Sequence, residues 1–412
     1  MENGWDLKYT TGRRNVASSI SHDIEKLFLS YYSKDVEELN QLAVELRLRG
    51  VAPWIDKQGG FKIGDHSQTE ARRAIREDCF GLLLYATPEA LTRTFIRDVE
   101  IDEARQVRKL DPSFVLTATP RRIGFDTLGA VSATFGIDLA AFHGIAIRDQ
   151  HETHDRRAVA NGILEKILDR SRLRMNQSLW LQFSTREVMP DEPSDTLRID
   201  AKEVVANAER WPESWNDVLV ALCDVKNQLW NRLPVRHLHV HGSKHLTAAF
   251  MFGRVFTRYK LEIRQTVDDW WSSVGAIDRL EKPLVCEFHP ADLVHGPLVV
   301  EIASRFKDVS IGVNALLAAE RLEPIGRLQC CPVASPLDVT AELCRTMAHQ
   351  VYAEIEHAMQ DRSITSIHLF GAVPQALMMM LGQLFSGMPP VQLYEWTGSH
   401  YLPSCIVPGG VL

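Results

Sequence analysis

No apolar run in this chain approaches the roughly 18 to 20 residues needed to cross a bilayer. The opening residues, MENGWDLKYTTGRRN, lack the apolar centre of a secretion signal. A surplus of Lys and Arg is missing as well. The formal net charge is −7, which argues against general DNA or RNA binding, whose affinity rests on such a surplus. It leaves room for one small anionic ligand in a local basic pocket. The seven cysteines are an odd number, scattered apart from the neighbours Cys330 and Cys331, and none form a C-x-x-C pair. The expectation is a cytoplasmic protein with reduced thiols and no membrane partner.

What remains is the composition of a globular protein, 45% hydrophobic and 24% charged. A chain of 412 residues exceeds one core and predicts two or three domains. Residues 1–23 form a polar extension. Over residues 24–150, short apolar runs alternate with helical patterns, which is the signature of a parallel α/β sheet. Residues 151–175 read as a linker helix, entered through the charged stretch DQHETHDRR (Asp149 to Arg157). Residues 176–412 contain a repeat, and Val188 to Thr196 is a surface loop by its Pro, Asp and Ser content.

The first domain opens with the strand IEKLFLSYYSKD, whose Leu27, Phe28 and Leu29 are apolar on both faces. A helix follows, with Val36, Leu39, Ala43 and Leu46 at helical spacing and a stop at Gly50. Asp35 and Glu38 fit a capping box, with Ser33 as the alternative cap. Ser30, Tyr31, Tyr32 and Ser33 therefore lie at the carboxyl end of a strand, before a helix N-terminus. Open α/β sheets bind ligands there, and free helix N–H groups favour phosphate; a plain turn is the other reading. The strand GVAPWID then leads into a glycine-rich loop with Phe61 and Lys62 near its tip. An apolar residue at such a tip predicts packing against the parent domain or a neighbour. Further on, Glu100 sits at the edge of an apolar stripe made by Phe95, Val99, Ala104 and Val107. It has no base four residues on, so the usual helical ion pair is missing. A solvated Glu is the plain alternative.

These segments resemble a TIR domain. The resemblance rests on LFLSYYSKD, GVAPWIDKQGGFKIGD, CFGLLLYATPEAL and TRTFIRDVEIDEA. It implies a flavodoxin-like parallel sheet and, in enzymatic members, a glutamate that cleaves the nicotinamide–ribose bond of NAD⁺. Glu100 is the match, with Asp98 and Glu103 as competitors. Phe95 stands where the family has Trp, and one extra residue separates it from Glu100. The resemblance further implies that Ser30, Tyr31 and the helix beginning near Asp35 cradle the diphosphate, that Trp54 stacks on a ring or else packs in the core, and that Lys62 reaches a phosphate or stays in water. NAD⁺ would be the substrate, and no cofactor is expected.

The repeat is carried by VRHLHVHGSKHLTAAFMFGRVF (residues 235–256) and ITSIHLFGAVPQALMMMLGQLF (residues 364–385), which align without a gap. His239 meets His368, Gly242 meets Gly371 and Gly253 meets Gly382. Each copy reads as a strand, a glycine turn and a helix, and each is followed by another strand. Glycines inside helices cost about 1 kcal/mol against Ala, so close packing is the expected reason for Gly253 and Gly382. Met378, Met379 and Met380 read as core. His237, His239 and His241 alternate along one strand and face one side. A metal site is the alternative there, weakened because the second copy keeps only His368. Two equivalent glycine turns on one face suit a ligand that itself repeats.

This half resembles a SAVED domain, built from two fused Rossmann-like (CARF-like) halves that bind cyclic oligonucleotides. With the TIR-like stretch ahead of it, the chain is similar to TIR-SAVED effectors of CBASS antiviral defence. That resemblance implies a cyclic trinucleotide activator such as cyclic tri-AMP, homo-oligomeric filament assembly and composite NAD⁺ sites. The implied ligand contacts are Gly242, Ser243, Lys244 and His245 with Gly371, Ala372 and Gln375. Lys244 is either a phosphate contact or a solvated Lys. A TIR scaffold without catalysis is the rival reading.

Overall fold

The computed structural model describes residues 26–56, 67–141, 144–171, 178–187, 196–266, 268–277, 282–304, 309–333, 339–410 and 412. The 1–23 extension, the loop at Phe61 and Lys62 lie outside the described residues. The N-terminal unit runs through β1 (Lys26–Ser30), α1 (Val36–Leu48), β2 (Pro53–Trp54), α2 (Ser67–Arg73), β3 (Cys79–Ala86), α3 (Asp102–Leu110), β4 (Val115–Pro120) and α4 (Phe125–Ser132). Its strands are all parallel in the order β2-β1-β3-β4. That matches the first four positions of the 2-1-3-4-5 flavodoxin-like order. In the fifth position, the described residues hold a single parallel bridge, Arg121 to Ile147. β3 is buried at every position, as a central parallel strand requires.

The helix leading to Glu100 is not α-helical throughout. Ile96–Ile101 is a π-helical turn that runs into α3. A π turn closes each hydrogen bond one residue later than an α turn and so absorbs one inserted residue.

α5 (Glu152–Ser171) follows. Most of the stretch read as a linker is its first turns, where the buried Asp155 carboxylate accepts from the Arg148 guanidinium at 2.8 Å. The two parts of the chain are not separate cores. One apolar cluster is continuous from Leu27 and Leu46, through Val159 and Leu164, to Leu222, Phe252 and Leu381. A second cluster fills the other face of the N-terminal sheet. The seam also holds Arg49, fully buried, which donates to Asp224 at 2.6 Å and to Asn161 at 2.8 Å and pairs with Glu45 at 2.5 Å.

The C-terminal region begins with β5 (Leu179–Ser184), β6 (Thr196–Asp200), α6 (Lys202–Val205), α7 (Glu213–Arg232), β7 (His237–His241), α8 (Leu246–Val255), β8 (Lys260–Arg264) and β9 (Trp270–Ser272). It continues with β10 (Leu284–Pro290), β11 (His295–Ala303), α9 (Ser310–Glu320), β12 (Gly326–Pro332), α10 (Ala341–Met359), β13 (Ser363–Ala372), α11 (Gln375–Leu384), β14 (Val391–Trp396) and β15 (Tyr401–Val407). The two sheets have orders β6-β5-β7-β8-β9 and β10-β12-β11-β13-β14-β15. Apart from β10, the second repeats the first strand for strand, including the antiparallel last pair.

The expected repeat is therefore present as a duplicated βαβ unit, and its two helices pack on each other. A Cβ on Gly253 would stand 1.9 Å from the Met379 carbonyl oxygen, and one on Gly382 would stand 2.3 Å from that of Phe250. In the aligned repeats Gly253 answers Gly382 and Phe250 answers Met379. The contact is thus the same one made twice about an internal pseudo-twofold, and the glycines are there for close packing, as expected. The three methionines of α11 are buried core, also as expected. Among the described residues, no helix is long and apolar enough to cross a membrane.

Candidate functional site

The fold brings two groups of expected residues to strand carboxyl ends. In the N-terminal unit, β1 ends at Ser30, which is fully buried, and its hydroxyl donates to the Glu100 carboxylate at 2.5 Å. Glu100 is buried, not a solvated surface residue. Among the described residues Ser30 is its only hydrogen-bond partner, and no cation pairs with it. Burial pushes its carboxyl up to about 8. The bond from Ser30 works against that rise, and the Asp56 carboxylate adds to it. The competitors are otherwise engaged. Asp98 is exposed and paired with Arg97 at 2.6 Å, and Glu103 is buried between Arg72 and Arg76. Of the three acidic residues, only Glu100 has a carboxyl group without an ion pair among the described residues, at the end of a central strand.

The surrounding residues depart from several expectations. Tyr31 donates its hydroxyl to Asp56 at 2.5 Å. Asp35 makes no side-chain cap on α1. Its carboxylate accepts from Thr87 at 2.7 Å and from Arg122 at 2.8 Å, because the carboxyl ends of β3 and β4 converge there. The capping box with Glu38 does not form; Glu38 accepts from Arg121 at 2.8 Å and from Tyr85 at 3.0 Å. Trp54 is 6% exposed, with its ring stacked on Phe28 at 4.5 Å, so it packs in the core. Arg93, over the Tyr32 ring at 4.2 Å, and Arg122 bring positive charge to this end of the sheet. Sequence spacing gave no sign of either, since both reach the site through tertiary contacts. A cleft of about 440 Å³ lies elsewhere, between β4 and α5.

In the C-terminal region the second glycine turn lies beside the start of α8, the helix of the first copy. A side chain on Gly371 would stand 3.5 Å from Leu246, in the first turn of α8. Gly242 has φ +96 and lies against the Phe183 carbonyl, so both its backbone and its surroundings demand glycine. The Ser243 carbonyl accepts from the backbone N–H groups of Thr185 and Arg186 at 3.0 and 3.2 Å. Lys244 is neither solvated nor extended toward a ligand. It is 2% exposed, and its ammonium donates to the carbonyls of His241 and Gly242. His245 immediately precedes α8 without a side-chain cap; its ring stands edge-on to Trp215 and Trp211, and its Nδ1 lies 2.9 Å from the Thr185 hydroxyl. In the second copy, the Ala372 carbonyl accepts from Ser304 at 3.2 Å and Gln375 opens α11.

Charge at this end comes mainly from residues outside the repeat. Burial pushes His241 down to about 4, helped by Lys244, Arg264 and Arg198, and burial with Arg186 does the same to His245. Arg186 follows β5, Lys244 follows β7 and Arg264 ends β8, so these charges belong to strand carboxyl ends, where open α/β sheets bind ligands, while Arg198 lies within β6. Glu395 of β14 crosses to the other half. Its carboxylate accepts from the Thr247 N–H at 2.6 Å, in the first turn of α8. Burial raises its carboxyl, with the bonds from Thr247 opposing. His237 and His239 lie half-buried on one face beside Trp180, whose ring stacks on His239 at 4.5 Å. Among the described residues no cluster fit for a metal ion occurs.

Comparison with known proteins finds the following similarities. A stretch of 210 residues is 21% identical to CD-NTase-associated protein 4 of Moraxella osloensis, covering 48% of this chain and 42% of that protein. The chain therefore matches less than half the length of that relative. Among solved structures, the Acinetobacter baumannii Cap4 SAVED/CARF-domain containing receptor with the cyclic trinucleotide 2'3'3'-cAAA is 14% identical, with a TM-score of 0.49 over 93% of this chain and 81% of that one. The Moraxella osloensis Cap4 SAVED/CARF-domain containing receptor is 14% identical, with a TM-score of 0.42 over 93% and 87%. Residues 323–407, from the loop before β12 to the end of β15, match the model of SAVED, the SMODS-associated and fused to various effectors sensor domain.

Proposed function

We propose that this chain is an effector of CBASS antiviral defence, in which a SAVED sensor for a cyclic oligonucleotide governs a TIR-type NAD⁺ hydrolase. The observation that carries the catalytic half is Glu100: a buried carboxyl with no cation paired to it among the described residues, held by Ser30 at the carboxyl end of a central strand. Nicotinamide is already a cationic leaving group, so the reaction needs no strong acid. As the C–N bond stretches, positive charge grows on the ribose, and an adjacent carboxylate stabilises that state more than the ground state. Water then completes the sugar, releasing nicotinamide and ADP-ribose. Arg93 and Arg122 offer charge for the diphosphate.

With its carboxyl near 8, Glu100 is mostly protonated at neutral pH in a single chain. The site is then idle until something lowers that value, and a cationic substrate or a second copy of the chain would do so. This fits activation by assembly. The ligand, a cyclic trinucleotide such as cyclic tri-AMP, seats at the paired turns of Gly242 and Gly371 among Arg186, Arg198 and Arg264, and the resulting filament completes each NAD⁺ site from a neighbour. The same raised carboxyl also favours a second reading, a TIR scaffold that assembles without hydrolysis. Thermal-shift screening against cyclic di- and trinucleotides, followed by light scattering and NAD⁺ assays with the best binder, separates them. Particles together with NAD⁺ loss support the hydrolase; particles with NAD⁺ intact support the scaffold.

A further inference from the structure

β10 and β12 pair antiparallel at the edge of the six-stranded sheet, in a register that sets Cys286 directly opposite Cys330. Directly opposed residues of such a pair have Cα atoms about 4.5 or 5.5 Å apart, depending on the site in the ladder. Both values fall inside the roughly 4.4 to 6.8 Å that a disulfide spans. As a directly opposed pair of an antiparallel ladder, the two side chains project from the same face of the sheet. Both are free in this structure. Cys331, next in the chain, is opposite Val285 and exposed, so it belongs to the other face of the sheet.

We propose that Cys286 and Cys330 are an oxidant-responsive dithiol that closes to a reversible cross-strand disulfide on contact with hydrogen peroxide. Cys286 reacts first, because it is half-buried whereas Cys330 is fully buried. The Cys286 thiol gives its proton to solvent and the thiolate attacks one peroxide oxygen; an S–O bond forms, the O–O bond breaks and hydroxide leaves, taking back a proton as water, so that Cys286 becomes a sulfenic acid and the peroxide is reduced. The Cys330 sulfur then attacks the Cys286 sulfur. The S–S bond forms, the S–O bond breaks, and the departing hydroxide takes the Cys330 proton as a second water. In total, two thiols and one peroxide give one disulfide and two waters, and a dithiol reductant reverses the step.

The bond would tie the outermost strand to the sheet at the end that carries the candidate ligand turn. Cys330 is in register with Ile302 of β11, and the next residue, Ala303, pairs with Ala372. The inference stands whether or not the chain binds a nucleotide. To test it, the full chain is treated with hydrogen peroxide, the remaining thiols are blocked, and peptides are mapped by mass spectrometry without reduction. The expected result is a peptide pair joined through Cys286 and Cys330, lighter by two hydrogens, lost on adding dithiothreitol and absent from Cys286→Ser. The oxidised wild type also melts above the reduced form, and the oxidised variant does not. Joined chains linked only through Cys331, or Cys286 carried to sulfinic acid while Cys330 stays a thiol, would overturn it.

Discussion

Replacing Glu100 by Gln should change how stability depends on pH, by an amount that follows from its burial. The glutamate ionises near 4.5 when exposed and near 8 in the folded chain. Below the lower value both states hold the proton and the residue costs nothing. Between the two values the unfolded chain releases the proton and the folded chain keeps it. Stability contributed in this way is complete below the unfolded value and is lost as pH rises through the folded one. A gap of this size, at 1.36 kcal/mol per unit, corresponds to about 5 kcal/mol in full, and about 4 kcal/mol between about pH 5 and about pH 8.5. Gln has nearly the same shape, accepts from Ser30 and does not titrate. Urea unfolding of both proteins at those two pH values gives the difference directly. The variant should gain on the wild type by about 4 kcal/mol from the lower to the higher pH. Parallel pH dependence would refute the burial argument and, with it, the account of an idle lone-chain site.

Gly253→Ala forces a Cβ onto the Met379 carbonyl, so despite better helix propensity it should destabilise by about 1 to 3 kcal/mol in chemical denaturation. Gly382→Ala should cost a similar amount, and because both glycines serve one helix pair, the double variant should lose less than the sum. Arg49→Ala leaves Asp224 and Glu45 without their buried partner and should cost about 3 to 5 kcal/mol by the same measurement. Since Arg49 joins α1 to α5 and α7, that loss should appear as earlier amide exchange along the seam.

Local pattern made some of this legible before any coordinates. The gapless alignment of 235–256 with 364–385 gave the duplicated unit, and the two mid-helix glycines gave its close contact, because both are properties of short stretches. The apolar runs at Leu27 and Cys79 likewise marked strands of a parallel sheet. What escaped depends on residues far apart in the chain. Lys244 read as a solvated or ligand-facing charge, yet its own turn folds back over it. Asp35 read as a cap, yet Arg122 and Thr87 claim it from other strands. Glu395 and the arginines at 186, 198 and 264 lie outside the repeat, so no spacing pointed to them. The charged stretch before α5 looked like a linker because its burial is made by ion pairs such as Arg148–Asp155, which apolar periodicity does not register.

The most direct test of the proposed coupling is nicotinamide release by the full chain, measured with and without cyclic tri-AMP over a range of protein concentrations. The account predicts negligible release from dilute protein alone, release that rises with ligand and with protein concentration together, and none from Glu100→Gln under any of these conditions. Release from Glu100→Gln at the wild-type rate, or full-rate release from dilute protein lacking ligand, would contradict it.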